Sequence, residues 1–319
     1  MTIRNYFNAP LYKKAMRSSA PGKIILFGEH AVVYGEPAIA IAVDLRIDVE
    51  TAPASTYTVN GYPLDDRHHQ YIKTAIEHYW HGEKLAFKTK SQIPSASNLG
   101  SSSALTIAVT GSLLGPAAQQ AEVARCGFDV ERTAQGMASP IDTSVVTHGS
   151  GVWLTNKPED DLLWDFKRGG IRWCVHHLDL PPLVFVAGCT MKKSKTPIQV
   201  ERVGRFVQRS GFARDVLREM GELSLKGVSA LRDEDLQTVG RLMLKAHDLL
   251  AILGVNTPEL QRLVDAAKES AYGAKITGAG GGGSMIALTD NPQETADAIR
   301  RAGGAPYILR VEKEGLKFM

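Results

Sequence analysis

Cysteine is scarce here, with three among 319 residues. Cys126, Cys174 and Cys189 are odd in number and lack Cys-x-x-Cys spacing, which excludes a disulfide framework and a cysteine-based zinc site. They read as buried thiols of a reducing compartment. Long hydrophobic runs are missing as well: none reaches the roughly 20 residues that span a bilayer, so no membrane span is expected. Charge of one sign is also lacking. Lys and Arg number 37 against 34 Asp and Glu, interspersed to leave a net charge of +3, which argues against a nucleic-acid surface and leaves a small anionic ligand open. The first residues carry Arg4, Lys13, Lys14 and Arg17 without the apolar core of a secretory signal. A cytoplasmic protein is the expectation.

Apolar residues make up 44% and charged residues 22%, a globular composition, and the length suggests two domains, cut near Leu178 into 1–178 and 179–319. Short apolar and β-branched runs at Lys23–Phe27, Pro37–Val49, Gly151–Thr155 and Leu183–Ala187 predict strands. Apolar spacing of three and four predicts a helix over Gln70–Tyr79, Ser101–Leu114 reads as a buried helix opening at the serine-rich turn, and a further helix runs over Ala118–Ala134 and stops before Gly136. Ser139-Pro140 then interrupts helical geometry and leaves Asp142 on a loop. The polar segment Lys157–Gly170 reads as an edge between domains. Helical periodicity resumes over Pro197–Leu253 and Pro258–Tyr272, followed by Lys275–Thr277, the glycine run, a strand at Ser284–Thr289 and a helix at Gln293–Ala302. This alternation is that of an α/β or α+β fold.

Three glycine-rich segments outline a phosphate site: Ala20-Pro21-Gly22-Lys23, Asn98-Leu99-Gly100-Ser101-Ser102-Ser103-Ala104 and Gly278-Ala279-Gly280-Gly281-Gly282-Gly283. The serines open a predicted helix, whose free amides and positive dipole suit phosphate; plain helix capping is the alternative. The third segment satisfies G-x-G-x-x-G, yet a β-like run follows it where a dinucleotide fingerprint needs a helix. A glycine-rich turn touching only protein is the other reading there. A Walker P-loop is excluded because Arg17 and Ile24 stand where Gly and Ser or Thr would be required. Lys23 is either a solvated lysine or aimed inward by the Pro-Gly turn. Glu131 and Asp142, each alone a plausible surface carboxylate, could divide labour around Mg²⁺ as metal ligand and hydroxyl-facing group. Glu29-His30 lacks the second histidine of a zinc motif and points to substrate contact. His68-His69 and His176-His177 read as surface or interdomain residues.

Taken together, Ala20 to Gly35, the serine loop and Lys275 to Gly283 resemble in order and spacing the three motifs of the GHMP small-molecule kinases. Within that superfamily Gly28-Glu29-His30-Ala31-Val32-Val33-Tyr34-Gly35, Ala138-Ser139-Pro140-Ile141-Asp142-Thr143 and Leu253-Gly254-Val255-Asn256 look like the mevalonate kinase family, its archaeal branch in particular. The resemblance covers the chain from Ser19 onward. It implies an α+β, two-domain fold, the N-terminal domain with a left-handed βαβ crossover and the C-terminal one ferredoxin-like, with the active site in the cleft between them. It implies that ATP phosphates lie along Pro94, Ser97, Asn98, Leu99, Gly100, Ser101, Ser102 and Ser103, that Ser102 and Glu131 bind Mg²⁺, and that Asp142 meets the mevalonate 5-hydroxyl beside Lys23. Glu29, His30, Thr196, Gly278, Ala279, Gly280 and Gly281 would attend the substrate, and the family habit is a homodimer. Asn98 stands where the family has its first glycine and Ser103 where it has alanine. The cation for the mevalonate carboxylate is left open among the basic stretch Met191 to Thr196, Arg202 and Arg205. The competing readings are a sister kinase of phosphomevalonate or another small alcohol, and a silent nucleotide-binding module.

Overall fold

The computed structural model describes residues 15–136, 138–192 and 196–319; Arg4, Lys13, Lys14, Lys193 and Lys195 of the basic segments lie outside these. The long strands β1 (Met16–Phe27) and β2 (Ala38–Pro53) pair antiparallel from Met16 opposite Thr51 to Phe27 opposite Ile39. Both are rich in branched and small residues, and the segment from Ser18 to Phe27 is buried throughout, as a strand covered on both faces requires. After them come β3 (Thr58–Val59), β4 (Tyr62–Pro63), α1 (Gln70–Tyr79), β5 (Leu85–Ser91), α2 (Ser101–Leu114), α3 (Gln120–Gln135), α4 (Ile141–His148), β6 (Gly151–Thr155), β7 (Leu162–Arg168) and β8 (Ile171–Leu178). The first sheet runs β4-β3-β5-β2-β6-β8-β7, with β1 on β2. Among the described residues its one parallel pair, β3 with β5, needs a crossover, and α1 lies in it. Helices α2 and α4 pack on β1 and β2.

The second sheet is built from β9 (Val184–Cys189), β10 (Gly273–Thr277), β11 (Ser284–Leu288) and β12 (Ala305–Arg310). Between β9 and β10 stand α5 (Thr196–Arg209), α6 (Gly211–Arg232), α7 (Leu236–Ile252) and α8 (Pro258–Ala267); α9 (Pro292–Arg301) precedes β12. All its pairs are antiparallel, in the order β10-β11-β9-β12, the ferredoxin-like order expected from the resemblance. The chain then returns to the first sheet, where β13 (Lys317–Phe318) pairs with β1. No described helix is long and apolar enough to cross a membrane.

Four expectations are corrected. Asp142 lies in the first turn of α4 rather than on a loop, because Pro140 takes the position before the helix, where a missing N–H costs nothing. The segment 157–170 is no domain edge: its centre is β7, which buries Trp164 and Phe166 and forms a hairpin with β8. Pro21-Gly22 makes no turn, for β1 continues through it with only a shift of register. His176 is fully buried, stacked on Trp153 at 4.6 Å, while His177 joins His148 (2.8 Å) and Asp179 (2.9 Å).

The returning tail is clamped by Arg46, a buried guanidinium. It donates to Ser19 Oγ and Ser19 O (both 2.9 Å), to Glu314 O (2.9 Å) and to Gly315 O (2.7 Å), and pairs with Glu312 at 3.1 Å. Removing it strands several buried acceptors at once. Arg46→Ala is therefore expected to cost about 3 kcal/mol in chemical denaturation. Arg17→Ala, which breaks an exposed pair with Glu50, should cost under about 1 kcal/mol; equal losses would contradict the clamp.

Candidate active site

A cleft of about 260 Å³ opens between the two sheets, lined by Lys23, Glu29 and His30, the serine loop, Glu131, Asp142, Thr196, Gly278 and Ala279. Its floor is set by how the serine loop lies on β1. Asn98 (φ 58°) and Gly100 (φ 85°) take left-handed backbone, the conformation asparagine and glycine tolerate best. The loop thereby comes close enough for Lys23 N to donate to Leu99 O at 3.0 Å. A Cβ on Gly22 would stand 2.8 Å from that carbonyl, and one on Gly100 2.7 Å from Lys23 Cγ. α2 begins at Ser101 with no acidic side chain in its first turn, so its amides and dipole face the cleft uncompensated.

Lys23 Nζ reaches Asp142 Oδ2 at 2.8 Å, and the other oxygen, Oδ1, is buried without a protein partner. Glu131, in the last turns of α3, is buried and accepts a hydrogen bond from Ser103 Oγ at 2.6 Å. Burial and then the charge of Asp142 push its carboxyl from the ordinary 4.5 up to about 8, against the opposing Ser103 bond and Lys23. A hydroxyl and one carboxylate are hard oxygen donors of the kind that hold Mg²⁺ together with substrate phosphates, so Ser102 and Glu131 fit that ion. Among the described residues no group of three or more His, Cys, Asp or Glu gathers to hold a metal by itself.

Glu29, which also lines the cleft, forms a buried ion pair with Lys275, which in turn donates to Ile276 O at 2.6 Å. Burial raises the Glu29 carboxyl and lowers the Lys275 ammonium, and each charge opposes the other's shift. Burial pushes His30 down to about 4, leaving a neutral ring. Its Nε2, 3.0 Å from Ala279 O, must then carry the proton and donate. Thr277 ties β10 to β1, accepting from Ile25 N (3.1 Å) and donating to Ile25 O (3.0 Å).

Not every expected residue faces the cleft. Pro94, outside it, receives the Ser97 hydroxyl on its carbonyl at 2.8 Å; Leu99 is core; Ser103 is turned to Glu131. Gly280 and Gly281 pack instead against Val255 and Gln199, so this half of the glycine run serves the fold, while Gly278 and Ala279 line the cavity. Lys275 escaped the sequence reading. Its signal was the single charge in β10, a strand buried throughout.

Residues 70–150 match the GHMP kinases N terminal domain family and residues 228–309 the GHMP kinases C terminal family, which sets the fold and cleft within the GHMP kinase class. The chain is 35% identical to the mevalonate kinase of Pyrococcus furiosus over 94% of its own length and 97% of that protein. It is 36% identical to that of Pyrococcus abyssi, covering 94% and 96%. The crystal structure of the Methanococcus jannaschii mevalonate kinase superposes with a TM-score of 0.74 at 26% identity, over 94% of this chain and 99% of that one. The L. major mevalonate kinase in complex with R-mevalonate shares the fold at a TM-score of 0.76 and 22% identity, over 93% and 96%. This chain belongs to the mevalonate kinase family.

The raised Glu131 carboxyl has a thermodynamic consequence. The folded chain holds a proton there that the unfolded chain releases above 4.5, so stability from this site is full below that pH and is lost as pH rises toward 8. Glu131→Gln, neutral at every pH, should leave stability near that of the parent at about pH 5 and exceed it by about 2–4 kcal/mol at about pH 9 in chelator. Parallel stability curves would contradict the burial of an ionisable carboxyl.

Proposed function

We propose that this chain transfers the γ-phosphoryl group of ATP to the 5-hydroxyl of (R)-mevalonate, giving 5-phosphomevalonate and ADP in isoprenoid biosynthesis. The observation that carries the reading is the Lys23–Asp142 pair at 2.8 Å in a cleft beside a serine-opened helix, with the second Asp142 oxygen, Oδ1, without a protein partner. An alcohol is a weak nucleophile. Asp142 Oδ1 accepts its proton as the new O–P bond forms and the bond from the γ-phosphorus to ADP breaks, while Lys23 fixes the carboxylate and offsets negative charge on the transferred group. Because phosphoryl transfer has a loose transition state, holding the hydroxyl in line matters as much as basicity.

In this reading the α2 amides with Ser97, Asn98, Gly100 and Ser101 bind the ATP phosphates, and Ser102 and Glu131 hold Mg²⁺. The ion supplies neutralisation of the phosphate charge. Ser103 orients Glu131 rather than touching nucleotide. Glu29, His30, Thr196, Gly278 and Ala279 surround the alcohol. The two units, 1–178 and 179–319, contribute to the cleft jointly, and the enzyme is a cytoplasmic homodimer, testable by sedimentation.

Incubation with Mg²⁺-ATP and mevalonate, with phosphomevalonate and homoserine in parallel, should yield mevalonate 5-phosphate by ³¹P and ¹H NMR. Preferred turnover of another alcohol would overturn the substrate. Asp142→Asn should lower kcat by about 10²–10⁴-fold with nucleotide affinity little changed. Retained turnover would remove Asp142 from the proton transfer.

A further inference from the structure

The buried pair between Glu29 and Lys275 is unexplained by stability. Lys275 is 0% and Glu29 1% exposed, and taking two charges out of water consumes most of what their attraction returns, so an apolar pair of the same volume would hold the fold as well. Nor is the pair needed to join the sheets. Thr277 already bonds Ile25 twice, and His30 bonds Ala279, across the same junction. What the pair does provide is one carboxylate oxygen tied to Lys275 and a second, Glu29 Oε2, buried without a protein partner in a residue that lines the cleft. A buried carboxylate oxygen without a protein partner calls for a donor from outside the protein, and a ligand in the cleft can supply one.

Resting on the function proposed above, the choice of donor is narrow. Mevalonate offers a carboxylate, which Glu29 repels, a 5-hydroxyl, which belongs at Asp142, and a tertiary 3-hydroxyl. We propose that Lys275 is a positioning residue that anchors Glu29 through one oxygen so that Oε2 accepts a hydrogen bond from the substrate's 3-hydroxyl, making this pair a determinant of specificity. Lys275 touches no substrate and acts only through Glu29. Without the ammonium, a buried carboxyl has no charge to balance it and takes a proton, and the acceptor becomes a competing donor.

The test compares mevalonate with 5-hydroxy-3-methylpentanoate, which lacks the 3-hydroxyl. The parent enzyme should prefer mevalonate by about 10²-fold or more in kcat/KM, since a site built to bond a hydroxyl rejects the analogue lacking it. Lys275→Met should lose most of that preference through a raised KM for mevalonate, with the KM for ATP and the analogue's kcat/KM changed less than about threefold. The double variant Glu29→Gln with Lys275→Met, which leaves no buried charge unpaired, guards against misfolding and should show the same loss rather than a sum. A folded Lys275→Met that keeps the preference, or that loses mevalonate, analogue and ATP alike, overturns the proposal. Absence of mevalonate turnover by the parent enzyme would sink the functional reading itself, and this inference with it.

Discussion

The closeness of the serine loop to β1 is the constraint from which the rest of the cleft follows. The hydrogen bond from Lys23 N to Leu99 O fixes that spacing, and Gly22 and Gly100 are the residues that permit it. The lysine side chain runs beneath Gly100, where an added Cβ would stand 2.7 Å from Lys23 Cγ and 3.3 Å from its Cε. Its Nζ meets Asp142. The same contact sets the start of α2 beside the pair, so the helix amides and the carboxylate converge on one volume without any long side chain having to reach for it. Rigid strands and helix ends hold such a constellation with less motion than loops would.

Electrostatics then decides which groups in that volume are charged. Glu29, Glu131 and Asp142 bring three carboxyls and Lys23 and Lys275 two ammonium groups, so full ionisation would leave one uncompensated negative charge in a poorly solvated space. Asp142 is paired at 2.8 Å and Glu29 is paired with Lys275; Glu131 has a hydroxyl for company and no cation in contact. Burial first and the charge of Asp142 second raise the Glu131 carboxyl to about 8, and no cation stands in contact to offset them. A carboxyl without a cation in contact is the one whose ionisation an added cation would favour.

Legibility in the sequence followed from how local each signal was. α1 and α2 have the boundaries the sequence predicts, because the apolar spacing of α1 and the serine turn that opens the buried α2 are local signals. The continuous helical reading over Pro197–Leu253 resolves into three helices, parted where Ser210 and Asp235 accept from Ala213 N and Thr238 N; these caps were present in the sequence and outweighed by the periodicity. Pro140 was read as a break when it was a beginning. β7 escaped because the charged residues Asp165, Lys167 and Arg168 alternate with and follow the two aromatic residues it buries. Lys275 and Thr277 were hidden for a different reason: their partners Glu29 and Ile25 lie 246 and 252 residues away, and nothing short of the folded sheets brings them together.

The glycine run illustrates how one motif can hold two functions that sequence treats as alternatives. Gly278, Gly280, Gly281, Gly282 and Gly283 all have positive φ, so the segment is a left-handed path that side chains would strain at almost every step. A Cβ on Gly280 would stand 2.5 Å from Val255 O, and those on Gly281 and Gly283 would run into Gln199 and Asn98. Those contacts wedge the far half of the loop between the α7–α8 connection, α5 and the serine loop. Ala279, the one residue of the run with a side chain, is thereby held with its carbonyl on His30. His30 itself sits at φ 62°, a conformation histidine adopts only under constraint, and it lies against the cleft. The wedge and the strain are two ends of one device: close packing on the protein side fixes a carbonyl, and the carbonyl fixes a neutral imidazole where a substrate would lie.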